Sequence, residues 1–353
     1  MELNAKKQLH FTFWSGNGPS LIFIPSADLI QYDVDDYESR FSDPAKMYES
    51  EIKRASAIID WPTDGIPTIR PNLGTIFIPA IAGQDYMIRD GQMPWPGSHF
   101  TVDQIRSLKN IDIENAQMMR LALEFYSIHR SIKSKEIECY HPDTQGVYDI
   151  LHLLRGDELF YEMITEVDQT KELLGIITDL YVEVTKVLKA KIGEPANEMI
   201  HGHGTQQGLF FPQAGTRLSE DTDTLLSPAM IDEFAIPYME QASKPFGGAF
   251  VHYCGKHEYL YEKILDCDFV RAIDLGNPEM YNTEWLLQKC AETDTVFYGK
   301  LAAQENEIWQ DYIIRISKII KKTGARCVLR PTVFPEIQDQ CHEMLEMWHE
   351  LTV

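Results

Sequence analysis

The chain has 353 residues, 44% of them hydrophobic, enough for a large buried core. Its 54 acidic residues against 32 basic ones leave a formal charge of −22 with no basic block, which argues against nucleic acid or an anionic membrane surface as partner. No stretch approaches the ~20 apolar residues of a spanning helix, and the opening run MELNAKKQLHFTFWSGNG lacks a signal-peptide core, so a soluble cytoplasmic chain is expected.

Residues 1–60 are rich in aromatic and acidic side chains and read as an N-terminal extension packed on the rest. From 61 to 353, short apolar runs alternate with longer periodic ones. Strands are expected at 66–70, 137–141, 216–221, 248–254, 269–275, 295–301 and 325–330, with a weaker candidate at 75–82 that carries Pro79. Helices are expected at 114–132, 169–191, 228–242, 307–322 and 336–351. Ser227 followed by Pro228 is a helix start, and Pro335 plays a similar part before the last helix. Such alternation predicts a parallel sheet covered by helices, and about eight strands without a linker favour a (β/α)8 barrel as the catalytic domain. An open doubly wound sheet is the rival, but no GxGxxG follows the first strand.

Barrel chemistry sits at the carboxyl ends of the strands. There the run GAFVHYCGKH closes one strand with His252 and Cys254, two residues apart and therefore on one side of it. A catalytic zinc takes three protein ligands and keeps a fourth position open. Cys327, in GARCVLRP, is one candidate for the third, and His257 is another. The six cysteines form no CxxC pair, and Cys267 and Cys290 read as core residues. Glu220 and Asp221 end an earlier strand. Being adjacent they face opposite sides, so only one can point into the barrel mouth as an acidic site residue. Asp274 ends another strand and is a candidate of the same kind. His201 and His203 lie in EMIHGHGTQQGLFFP, which reads as a Gly-spaced lid or as a second ligand set. Phe77, Tyr86, Trp95, His99, Phe100, Phe210 and Phe211 stand in or near loop-like segments and suggest an aromatic pocket.

The segment SEDTDTLLSPAMIDEFAIPYMEQASKPFGGAFVHYCGK resembles the uroporphyrinogen decarboxylase superfamily. The shared features are Glu220 and Asp221, the Ser227-Pro228 helix start, Glu233-Phe234, Pro237-Tyr238 and the His252-x-Cys254-Gly255 strand end. PTIRPNLG and HPDTQGVYDILHLLRGDELFYEMITEVDQ also look like the family, so the likeness runs from about residue 66 to the C-terminus and implies a (β/α)8 barrel. The arginine-rich N-terminal motif of the true decarboxylases is missing; Arg70 stands alone. The zinc-dependent, corrinoid-linked methyltransferase branch, which includes methyltransferase components of O-demethylase systems, is the better match. It implies zinc on His252, Cys254 and Cys327, with Glu220 or Asp221 as a proton handler or weak fourth ligand, although Val328 stands where that branch often has glycine.

The resemblance implies methyl transfer to or from the cobalt of a corrinoid (cobalamin) on a separate partner protein, and the loop aromatics favour a methoxylated aromatic substrate as the donor. The same ligands serve transfer from methylcobalamin to a thiol, so the ligands alone do not choose the small-molecule donor or acceptor. A decarboxylase-like lyase and a metal-free binding module are the remaining alternatives.

Overall fold

The computed structural model describes residues 3–26, 37–88, 93–134 and 136–353. Within them the apolar runs form strands β1 (Leu21–Ile22), β2 (Ile66–Ile69), β3 (Tyr86–Met87), β4 (Trp95–Pro96), β5 (Glu138–Cys139) and β6 (Met199–His201). The second half of the chain adds β7 (Gln207–Phe211), β8 (Thr216–Ser219), β9 (Ala249–Tyr253), β10 (Val270–Leu275), β11 (Val296–Leu301) and β12 (Cys327–Pro331). A six-stranded sheet runs β1-β12-β11-β10-β9-β8, parallel throughout. A second sheet, β5-β2-β7-β6, pairs β2 with β5 in parallel and carries the antiparallel β6–β7 hairpin on the other side of β2. The fold is mixed α/β, with a barrel-like arrangement of a large parallel sheet and helices.

Both faces of the large sheet are apolar, as expected for parallel strands with covered faces. Strand alternation separates them cleanly. Leu21, Phe23, Phe250, Ala272, Val296, Tyr298 and Val328 form one cluster on the inner face. Ile22, Val251, Ile273, Phe297, Cys327 and Leu329 belong to the larger core shared with the helices. Helices Val167–Ile192, Trp309–Thr323 and Gln338–Thr352 all contribute to that core, the second through Tyr312, Ile313, Ile316 and Ile320.

Several local readings are met. Ser227 Oγ accepts from Met230 N at 3.4 Å, and Pro228 opens the helix. That helix widens to a π-turn over Ile231–Ala235 before resuming at Ile236, beside Pro237, whose missing N–H breaks the regular ladder. Others differ. The run 75–82 contains helix Phe77–Ile81, not a strand: Pro79 sits in its first turn, where backbone N–H groups have no intrahelical partner to lose. Of the expected extension 1–60, residues 1–2 and 27–36 lie outside the described residues. Its Leu21–Ile22 is an edge strand of the main sheet. Among the described residues, no helix is long and apolar enough to cross a membrane.

Asp64 fastens the ends of the chain together. Its fully buried carboxylate accepts from Ile22 N at 2.8 Å and lies 2.9 Å from His349 Nε2 on the last helix. Burial works against the charged imidazole, but the hydrogen bond and charge of Asp64 outweigh it, so the His349 pKa is raised. A raised imidazole stabilises the fold fully below its unfolded pKa of about 6.5, and that stabilisation is lost as pH rises through the folded value. Urea unfolding of the native chain should therefore lose stability relative to His349→Gln as the pH is raised from about 6. A difference independent of pH would show that the pair contributes nothing through protonation.

Candidate metal centre

Three strands deliver polar residues to the carboxyl edge of the sheet. In the register, Ser219 lies beside His252, and His252 beside Asp274. His252 and Asp274 share the inward parity of Phe250 and Ala272, but one step further along, where the apolar floor ends. Burial there demands partners. His252 Nδ1 lies 2.6 Å from Asp274 Oδ2, and His203 Nε2 lies 2.8 Å from the same oxygen.

With Nδ1–H donated to Asp274, His252 presents the lone pair of Nε2 on its other side. Cys254 Sγ and Asp221 Oδ1 each stand 3.5 Å from that nitrogen. Asp221 Oδ1 also accepts from Cys254 N at 2.6 Å, which fixes the loop that carries the thiol. Around a zinc ion with ordinary bond lengths, tetrahedral N···S and N···O separations are about 3.5 and about 3.4 Å. The two separations from His252 match these values, the ligand atoms of Asp221, His252 and Cys254 all lie within 4.8 Å of one another, and their chemistry suits zinc. Asp274 behind the imidazole completes the carboxylate–histidine pattern that orients such ligands. His203, His252 and Asp274 also cluster within ligand distance, but their facing atoms are already committed to hydrogen bonds.

Glycines make room for this packing. A Cβ on Gly276 would lie 2.3 Å from Cys254 Sγ, and one on Gly299 would lie 2.8 Å from Asp274 Oδ1. Burial, followed by the neighbouring Asp221, pushes the Cys254 thiol up to about 12, so without a cation it stays protonated. Burial raises the Asp274 carboxyl, but the two imidazoles more than reverse this and hold it well below the usual carboxylate range. Burial brings His203 down to about 3, leaving a neutral ring. With Nε2–H given to Asp274, its buried Nδ1 has no partner.

The other sequence candidates lie elsewhere. Cys327 is not brought to His252 and Cys254. It opens β12 on the parity of Val251, Ile273 and Phe297, so its fully buried side chain belongs to the helix-covered core, while Val328 takes the inner face. His257 caps helix Glu258–Leu265, accepting from Leu260 N at 3.0 Å, with Nε2 3.1 Å from Leu226 O. Of the acidic pair, only Asp221 reaches the centre. Glu220 turns beneath helix Val147–Arg155 and accepts from Val147 N at 2.8 Å and Asp149 N at 3.2 Å. Burial, with Asp223 and Asp149 alongside, pushes the Glu220 carboxyl well above its usual value. The Gly-spaced lid is instead the β6–β7 hairpin, whose turn holds His203 at a left-handed φ of 43°. Phe77 and Phe211 are core residues and Trp95 is exposed, so the aromatics named from sequence do not gather into one pocket.

The whole fold has a solved counterpart. It is similar to a methyltransferase from Methanosarcina mazei, with a TM-score of 0.66, 13% sequence identity, and coverage of 99% of this chain and 98% of that one. At this identity the likeness is one of fold. No family model matches the sequence, and no curated protein matches it.

Protein prepared without chelator should carry about one zinc per chain. Asp221→Asn and Cys254→Ser should each lose most of it. Asp274→Asn should weaken zinc affinity roughly 10–100-fold in a chelator competition, because His252 would no longer be held in its ligating tautomer. Cys327→Ala should keep the metal and instead cost about 1–2 kcal/mol of stability through the small cavity it leaves. Zinc lost in Cys327→Ala but retained in Asp221→Asn would restore the ligand set expected from sequence.

Proposed function

We propose that the chain is a zinc-dependent methyltransferase, built on a closed (β/α)8 barrel and working in the cytoplasm with a corrinoid carried by a separate protein. The observation that carries the reading is the convergence of Asp221, His252 and Cys254, backed by Asp274, at the carboxyl ends of parallel strands. The fold shared over nearly the whole chain with a methyltransferase supports it. Closure is supported by bonds between the two sheets. Asp64 N donates to Ile22 O at 3.0 Å beside β1, and Arg217 Nη1 on β8 meets Asp143 Oδ1 at 2.8 Å just beyond β5.

Asp221, His252 and Cys254 would hold the ion, and zinc supplies Lewis acidity toward an ether oxygen or a thiol. The chain's own residues do the rest. Asp274 keeps the proton of His252 on Nδ1 and so keeps Nε2 available. Phe250 and Tyr298, both buried, floor the centre and exclude water from that side. Asp221 holds the Cys254 backbone, and His203, its ring centroid 4.5 Å from that of His252, keeps a buried Nδ1 without a partner. The favoured donor is a methoxylated aromatic compound, with a corrinoid protein as acceptor.

Mixed with a reduced corrinoid protein and a methoxyphenol, the enzyme should form methyl-cobalt, read by corrinoid absorbance, with the free phenol in equal amount. His252→Ala and Cys254→Ser should fall to background. Consumption of methylcobalamin on adding a thiol, with no reaction of any methoxyaromatic, would reverse the direction. Release of carbon dioxide from a carboxylated substrate, without methyl transfer, would overturn the reading.

A further inference from the structure

Next to the centre lies a cavity of about 500 Å³, within the ~300–1,000 Å³ of small-molecule sites. The carboxyl ends of β11 and β12, the segment after β1 and the β6–β7 turn form its walls. Phe23, Pro331 and Phe334 give it apolar surface; Arg54, paired with Glu51 at 3.0 Å, also lines it, and its remaining charge comes from Lys300 and Arg330. These two cations are neighbours in the sheet register, on the inward parity of Tyr298 and Val328. Among the described residues neither has a carboxylate partner, whereas Arg155, Lys189, Arg217 and Arg315 are all paired with acids. Lys300 is exposed and Arg330 half-buried, so both cations face the cavity with no described carboxylate competing for them.

The cavity is coupled to the centre through one ring. Arg330 Cζ lies 5.8 Å from the ring centroid of Tyr298, and the other neighbours of that ring include His203 at 6.2 Å between centroids. Tyr298 is 1% exposed, and the polar neighbour of its hydroxyl is Arg330, so this buried ring ties the cavity's guanidinium to the His203 side. Gly204 and Thr205, directly after His203, belong to the cavity wall.

We propose that this cavity binds an organic substrate with an anionic head group, held by Lys300 and Arg330, and an apolar body lying against Phe23, Pro331 and Phe334. The guanidinium fork gives direction to a carboxylate or phosphate, and the ammonium adds a second charge-assisted bond. This rests on the reading of the adjacent centre as the reaction site, and it narrows the substrate class to an anion.

Calorimetric titration of the purified chain, with no corrinoid present, tests it with para-methoxybenzoate, phenyl phosphate and the neutral para-methoxybenzamide. At least one anion should bind saturably, about tenfold or more tighter than the amide, and more weakly as salt rises. The stronger anion identifies the head group. Lys300→Gln, a change at an exposed side chain, should weaken that binding about tenfold, Arg330→Gln at least as much, and Lys300→Arg should restore it. Equal binding of anion and amide, indifference to Lys300→Gln, or no anion binding would overturn the proposal. Because no turnover is measured, anion binding without methyl transfer would sink only the proposed reaction.

Discussion

Asp274 Oδ2 faces two imidazole nitrogens, His252 Nδ1 at 2.6 Å and His203 Nε2 at 2.8 Å, on a residue only 3% exposed. A buried carboxylate without donors would be expensive, and here the donors come from two separate parts of the chain. His252 arrives from the neighbouring strand β9 and His203 from the β6–β7 turn. Each bond fixes a tautomer: His252 is left with a free Nε2 and His203 with a free Nδ1. The position of Asp274 in turn requires that Gly299 carry no Cβ and that β9 and β10 keep their register, His252 opposite Asp274. Disturbing any one of these would misplace the nitrogen around which Asp221 and Cys254 gather.

Much of this framework was legible in the sequence. Apolar runs marked β2, β5 and β8 through β12, and the polar residues closing them marked the carboxyl edge at which His252, Cys254, Asp221 and Asp274 gather. Cys327 shows what apolar character alone misses. Side-chain direction depends on whether a position is odd or even along the strand, and a shift of one residue exchanges the faces. Cys327 therefore joins the helix-facing core, and the inward positions of β12 go to Val328 and Arg330. The usable signal was Arg330 itself, a polar residue at the end of an otherwise apolar strand.

His203 was harder to place, because its role depends on a non-local pairing. The hairpin that carries it is antiparallel in a neighbourhood of parallel strands, and β7 pairs with β2, well over a hundred positions earlier in the chain. Nothing local in HGHGTQQG states that partner. The glycines on either side of His203 do hint at a turn rather than a lid, since φ at His203 and Gly204 is positive and both segments flanking the turn are strands. Glu220 was ambiguous for a simpler reason. Adjacent carboxylates take opposite sides, and only the helix beneath, with its free Val147 and Asp149 N–H groups, decides which one turns away.

The two halves of the site carry different chemistry, and the sheet order explains why they can. Strands β8, β9 and β10 are consecutive neighbours and hold the donor atoms and their carboxylate support. Strands β11, β12 and β1 continue the same sheet and hold the cations and the apolar walls. The β6–β7 turn touches both, placing His203 against Asp274 and, one and two residues later, Gly204 and Thr205 in the cavity wall. An acidic cluster around a cation and a basic patch around an anion would each repel the other's ligand if they were merged. Kept on separate strands and divided by the buried ring of Tyr298, they can act on two ends of one molecule. In the proposed reaction the donor half would meet the atom to be activated, and the cationic half would fix where that atom lies.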